Sequence, residues 1–279
     1  MSSCEITVSY AGLIVGPEEI AYIRHFARRF SGLSRRELTA TLCEHLGWLS
    51  AAGQPRFGAA AEVLSRLEAA GSVTLPTLRK EFSSPGKRQR ISSPHSEETD
   101  PGERLRCRLE ALPSVQLCWC TTREQQSLCN AYLARHHPLG YHKPFGYWGR
   151  YLIVAGEHRL GCLLLGGPAR ALAARDQWIG WEHAQRRRNL PWVVTNSRFL
   201  IFPWVQVPHL ASHVLGRLAR RLADDWETHW DFRPLLLETF VDSAHYRGSC
   251  YRAAGWTCLG HTSGRGLTRP GKRYRTTPK

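Results

Sequence analysis

Residues Arg150–Leu165 read RYLIVAGEHRLGCLLL, two apolar runs, Arg150–Ala155 and Leu160–Leu165, on either side of Gly156 and Glu157. Runs of five or six residues rich in Leu, Ile, Val and Tyr, bounded by a glycine, fit two strands joined by a hairpin turn. Upstream, Leu105–Leu112 suits a short helix or strand and Val115–Trp119 an extended segment. Thr122–Arg135 has Leu128, Tyr132 and Leu133 on one helical face. Downstream come Trp178–Trp181, a strand over Arg198–Val205 and a long helix over Leu210–Trp226. A strand over Leu235–Val241, a helix over Tyr246–Ala254 and a last strand over Trp256–Thr262 complete the pattern. This order predicts an α+β domain over 104–266 with a mixed, largely antiparallel sheet, followed by a basic tail over 267–279.

The first eighty residues differ. Ile20, Ile23, Phe26, Ala27 and Phe30 recur at helical spacing and Gly32 follows as a stop. Ser34 with Glu37 three residues on forms a capping box for a second helix whose apolar face is Leu38, Leu42 and Leu46. A third helix is expected over Phe57–Ala70, with Ala60, Val63, Leu64 and Leu67 inward and Gly71 ending it, before an extended Ser72–Leu75. Three helices and a strand outline a winged-helix-like domain over 1–80. In that reading Arg56 and Arg66 approach DNA from the third helix, and Arg79 and Lys80 touch phosphates. A three-helix packing or dimerisation module is the plainer alternative. The run SSPGKRQRISSPHSEETDPGE, within Glu81–Glu103, has the composition of a flexible linker.

With 279 residues and 42% hydrophobic content the chain can bury a core. No apolar run approaches the ~20 residues that span a bilayer. Met1–Tyr10 lacks the pattern of a secretory signal, so a cytoplasmic location is expected. Nine scattered cysteines then read as reduced thiols, mostly small core residues. Cys118, Cys120 and Cys129 with His136 and His137 form a zinc candidate of unusual spacing. The net charge is +15 and unevenly spread. Residues 1–103 hold twelve Lys/Arg against twelve Asp/Glu, and residues 104–279 hold twenty-six against eleven. A domain so charged attracts polyanions, nucleic acid foremost. An arginine-rich surface inherited from a G+C-rich genome is the bland alternative.

The strings RYLIV, RDQWIGW, NSRFLIFPWVQVPHLAS, DDW, LLLETFVD, YRGSCYRAAGW and LGHTSGRG, in that order over most of 130–266, closely resemble the DruA family. That family is described in anti-phage Druantia systems and found near or within mobile elements. SRRELTATLCEHLGW matches its helical N-terminal segment. The resemblance implies DNA, and a helicase or other defence or transposon protein, as partners, and leaves the mechanism open. The order of elements is also similar to the GNAT acyltransferases, and SCYRAAGWTCLG looks like their Tyr-x-x-x-Gly-aromatic segment. This resemblance implies acetyl-coenzyme A bound at Val207–Leu215, although VPHLASHVL lacks the glycine such a loop needs for close backbone approach.

Three acids, Asp176, Glu238 and Asp242, are candidates for holding Mg²⁺ in phosphoryl-transfer chemistry. Glu238 and Asp242 share a strand face if the strand reaches that far. Structural pairing with an arginine such as Arg175 or Arg198 competes with this reading. Tyr251 is a candidate general acid on the acyltransferase reading, or a nucleophile toward a phosphodiester on the DNA reading, against plain aromatic packing. Tyr246 is equally ambiguous, and Cys250 reads as core. Arg198 suits a phosphate clamp, and Arg265, Arg269, Lys272 and Arg273 form a basic tail. Trp178, Trp181, Trp192 and Trp204 are divided between base stacking and core. The sequence therefore points first to a protein that binds and processes DNA by strand cleavage or transfer. An acyltransferase and a non-catalytic DNA-binding subunit are the alternatives.

Overall fold

The structure is a computed structural model that describes residues 7–31, 33–50, 55–76, 99, 101–144, 146–169, 171–262 and 279. Arg79, Lys80, most of the expected linker, and Arg265, Arg269, Lys272 and Arg273 lie outside the described residues. The chain divides into two units. One comprises Met1–Lys87, Phe145–Tyr147 and Thr228–Phe232, and the other Arg88–Pro144, Trp148–Glu227 and Arg233–Lys279. No helix among the described residues is long and apolar enough to cross a membrane.

The first unit opens with a hairpin, β1 (Val8–Tyr10) and β2 (Leu13–Val15), then α1 (Pro17–Arg29), α2 (Arg35–His45) and α3 (Phe57–Ala69). The helices follow the expected pattern. Ile20, Ile23, Phe26, Leu38, Leu42, Val63, Leu64 and Leu67 are buried, and the Ser34–Glu37 capping box closes the start of α2. The segment after α3 forms no strand. It is tied down instead by Arg24 Nε on the Ser72 carbonyl (2.8 Å) and Arg35 Nε on the Pro76 carbonyl (3.1 Å). Phe30 packs edge-on against Phe232 (5.3 Å between centroids) and beside Tyr147 (4.8 Å), which brings residues from far along the chain into this core.

The second unit carries a five-stranded sheet in the order β4 (Val115–Trp119), β5 (Gly149–Ala155), β6 (His158–Gly166), β7 (Val193–Ile201), β9 (Leu236–Thr239). All pairings are antiparallel except β7 with β9, which the 21-residue α7 (Leu210–Trp230) connects. Gly156–Glu157 makes the β5–β6 turn, with φ +56° at the glycine. Gly161 lies so close to the Leu200 carbonyl that any side chain would overlap it, next to a register shift in the β5–β6 pairing between Ile153 and Val154. α4 (Arg123–His136) covers β5, β6 and β7. A two-residue parallel pair joins β3 (Leu105–Arg106) to β8 (Val205–Gln206). Thr99 is buried, its carbonyl against His136 Nε2 at 2.8 Å. The architecture is α+β, with a helical N-terminal region and a mixed-sheet C-terminal unit.

Several boundaries differ from the sequence pattern. β7 starts five residues before Arg198, so Asn196 is a strand residue, and β9 stops at Thr239. Two helices were not expected, α5 (Ala173–Ile179) and α6 (His183–Asn189). The Tyr246–Ala254 helix shrinks to α8 (Ser249–Ala253), and Trp256–Thr262 is not a strand. Gly255, at φ +83°, turns the chain instead. Trp256 N–H then donates to the Tyr251 carbonyl (3.0 Å) and Gly255 N–H to that of Arg252 (3.0 Å), a Schellman close that folds Trp256 back over α8.

Candidate functional site

In the second unit a cavity of about 530 Å³ opens beside β9, lined from α5, β9 and α8. One wall is ionic. Arg175 is fully buried, and its Nε and Nη2 donate to Asp176 Oδ1 (3.0 and 2.8 Å). Its Nη1 donates to Glu238 Oε2 (3.1 Å) and to the Ala169 carbonyl (2.9 Å). Glu238 Oε1 accepts from Thr195 Oγ1 (2.9 Å) and from Ala169 N–H (3.0 Å), and Asp176 Oδ2 from Arg186 Nη1 (3.3 Å). The α5 helix ends on Gly180, φ +81°, in a second Schellman close that sets Trp181 5.8 Å from the Arg175 guanidinium.

The opposite wall is built on Tyr251. Its hydroxyl accepts from Asn196 Nδ2 (3.2 Å) and lies 3.5 Å from Thr239 Oγ1, whose own proton goes to the Asn196 carbonyl (3.0 Å). Burial pushes the phenol up to about 12, so at neutral pH it is protonated and keeps an O–H available to donate. Phe199 and Trp256 meet the Tyr251 ring edge-on.

The expected acids thus come together in part. Asp176 and Glu238 share one guanidinium, and every oxygen of both is already engaged. Asp242 lies past the end of β9, so strand alternation does not extend to it. Its Oδ1 accepts from Ala244 N–H (3.1 Å) and its Oδ2 faces His245 Nδ1 (3.2 Å). Among the described residues no group of three or more His, Cys, Asp or Glu is placed to hold a metal ion. Asp176 and Glu238 spend their oxygens on Arg175, Arg186, Thr195 and the Ala169 N–H, and Asp242 is bonded within its own loop. Of the zinc candidates, hydrogen bonding among neighbouring thiols and then burial push Cys120 and Cys129 up, which keeps them protonated. His137 is lowered to about 4 by burial and accepts from Leu139 N–H, while His136 is held on Thr99.

The expected cations are distributed by unit. Arg56 donates to the Ala11 carbonyl in the first hairpin, and Arg66 pairs with Glu62 (3.0 Å) and lies 4.5 Å over the Tyr10 ring. Arg198 donates to the carbonyls of Gly140 (2.9 Å) and Ser197 (2.7 Å). Other arginines of the second unit, which the motifs passed over, are exposed: Arg104, Arg106, Arg108, Arg188, Arg220, Arg247 and Arg252, none in an ion pair among the described residues. Trp204 stacks on Phe202 (4.8 Å), and Trp178 and Tyr246 stay exposed at the cavity. The structural alternative of an acid paired with Arg175 is what the structure shows, with one guanidinium on two acids. Asn196 carried no signal as a site before its strand was located.

The family model described as Druantia protein DruA matches residues 79–270. No curated protein and no solved structure matches the chain.

Proposed function

The chain belongs to the DruA family, and from that premise we propose that it is a DNA-engaging protein of phage defence whose second unit holds nucleic acid on its exposed arginines. The observation that carries this reading is the set of exposed arginines, unpaired among the described residues, on a unit that bears nearly the whole positive excess of the chain. Arginines already in ion pairs have little to offer phosphate. The exposed ones on β3 and around α8 have their donors available for bidentate contacts. Anisotropy with labelled single- and double-stranded DNA at low salt tests the reading. Binding is expected, weakened in an Arg104→Ala/Arg106→Ala/Arg108→Ala variant. Failure to bind either form overturns it.

Strand cleavage or transfer was the chemistry expected of the acids and Tyr251. Carboxylates engaged by arginine and a phenol held protonated favour binding over phosphodiester attack. Labelled DNA with Mg²⁺ tests this, with no cleavage expected from the unmodified protein. One observation favours a second reading as an acyltransferase: the parallel β7–β9 pair carries the protonated Tyr251 hydroxyl beside it, where a general acid for a leaving thiolate would stand. Calorimetry with acetyl-coenzyme A decides it, and a flat titration removes it.

A further inference from the structure

We infer that the cavity beside β9 receives one unpaired nucleobase of the bound DNA, stacked on Trp178 and Tyr246 and read by the polar groups around Tyr251. This rests on the DNA-engaging reading and adds the substrate class. Trp178 and Tyr246 are 59% and 57% exposed, and both line the same cavity. Large aromatic rings left open to water on a concave wall are what an incoming flat ring would cover.

A polar group on the lining points the same way. Trp256 lines the cavity, and its Nε1 is buried without a hydrogen-bond partner. A buried donor left unpaired is costly unless a ligand satisfies it. With the hydroxyl of Tyr251, also on the lining, it offers polar contacts of the kind a base edge takes up, whereas an acyl chain would leave both unmet. Arg247 and Arg252 are exposed on the lining and supply the charge for the flanking phosphates. A volume of about 530 Å³ lies in the range of small-molecule sites and admits a nucleotide but not a duplex.

The test uses the full chain, a single-stranded oligonucleotide carrying 5-iodouracil, and photo-crosslinking mapped by mass spectrometry. Crosslinks at Trp178 or Tyr246 are expected, and Trp178→Ala and Tyr246→Ala should each weaken binding about tenfold. Both rings are exposed, so the variants should keep the circular dichroism of the parent. Crosslinks confined to other residues, with affinity unchanged in both variants, overturn the inference and leave the DNA reading standing. Absence of DNA binding in the parent overturns both. Acetyl-coenzyme A quenching Trp178 while oligonucleotide does not also overturns the inference, and then the acyltransferase reading takes the cavity.

Discussion

At Arg175 a buried guanidinium faces two carboxylates, each about nine-tenths covered, and Glu238 has no other cation within reach among the described residues. Arg175→Met leaves Glu238 desolvated without its cation and Asp176 with Arg186 alone, and removing one partner of such a set costs about 3–5 kcal/mol. Urea unfolding should show that loss, and adding Glu238→Gln should recover part of it, because the second carboxylate then no longer needs the cation. Additive losses in the double variant would deny the coupling. Loss of activity in Glu238→Ala would therefore report folding before chemistry. His45 makes a second prediction. Burial lowers its imidazole to about 4 from the ordinary 6.5, and its Nδ1 takes the Tyr22 hydroxyl proton (2.7 Å). Above pH 6.5 both folded and unfolded chains hold it neutral and its contribution is intact. As pH falls from 6.5 toward 4 the unfolded chain binds the proton first and stability drops. Urea midpoints at pH 7 and pH 5 measure the drop, which should shrink in His45→Gln without vanishing, since burial also lowers His137 to about 4. The acids at 176 and 238 were legible as unusual in so basic a domain. Pairing with Arg175 was anticipated for an acid, but that one guanidinium would join both was not legible, because 63 residues separate Arg175 from Glu238 and only the fold closes that distance.

Among the elements, legibility followed the strength of local chemistry. The α2 start was readable because Ser34 and Glu37 satisfy each other's backbone N–H groups, whatever lies around them. The strings DQWIG and YRAAG were readable as motifs, yet each is also a helix stop. Gly180 and Gly255 take the left-handed turn, and the aromatic after each packs back on its own helix or its arginine. A family-like pattern around Tyr251 thus has a local cause, which is why the expected strand after it dissolves into a turn. The first hairpin was missed because its turn, Ala11–Gly12, lacks the Asn-Gly or Asp-Gly signature, and three-residue strands give too little alternation. Both turn residues have positive φ, +48° at Ala11 and +73° at Gly12. An alanine there is strained, whereas asparagine tolerates the left-handed region. Ala11→Asn should stabilise the first unit by about 0.5–1 kcal/mol, read as a raised thermal midpoint. A lowered midpoint would mean that the alanine methyl makes a contact worth more than the strain.

Across the whole molecule, composition announced two regions, and aromatic packing, which ignores sequence distance, draws distant segments into the first. Tyr147, Trp230 and Phe232 join the N-terminal helices, and Thr99, inside a run that reads as linker, is buried in the second unit. The charge count survived this redistribution better than the motif reading did, since charge is additive over residues and needs no register. Where each cation ends up then decides what it can do. Arg56 and Arg66 of the first unit bond to a backbone carbonyl and to a glutamate, whereas Arg104, Arg106 and Arg108 meet water. Counterion release makes this difference measurable. Each phosphate neutralised contributes about 0.9 to the slope of log affinity against log salt on duplex DNA. Arg104→Ala, Arg106→Ala and Arg108→Ala, made singly, should each lower the slope by up to about that amount and weaken binding evenly across sequences. Arg56→Ala and Arg66→Ala should leave the slope where it was. If the pattern reverses, with the slope carried by Arg56 and Arg66, then the third helix reads the duplex after all, and the basic second unit serves some other polyanion.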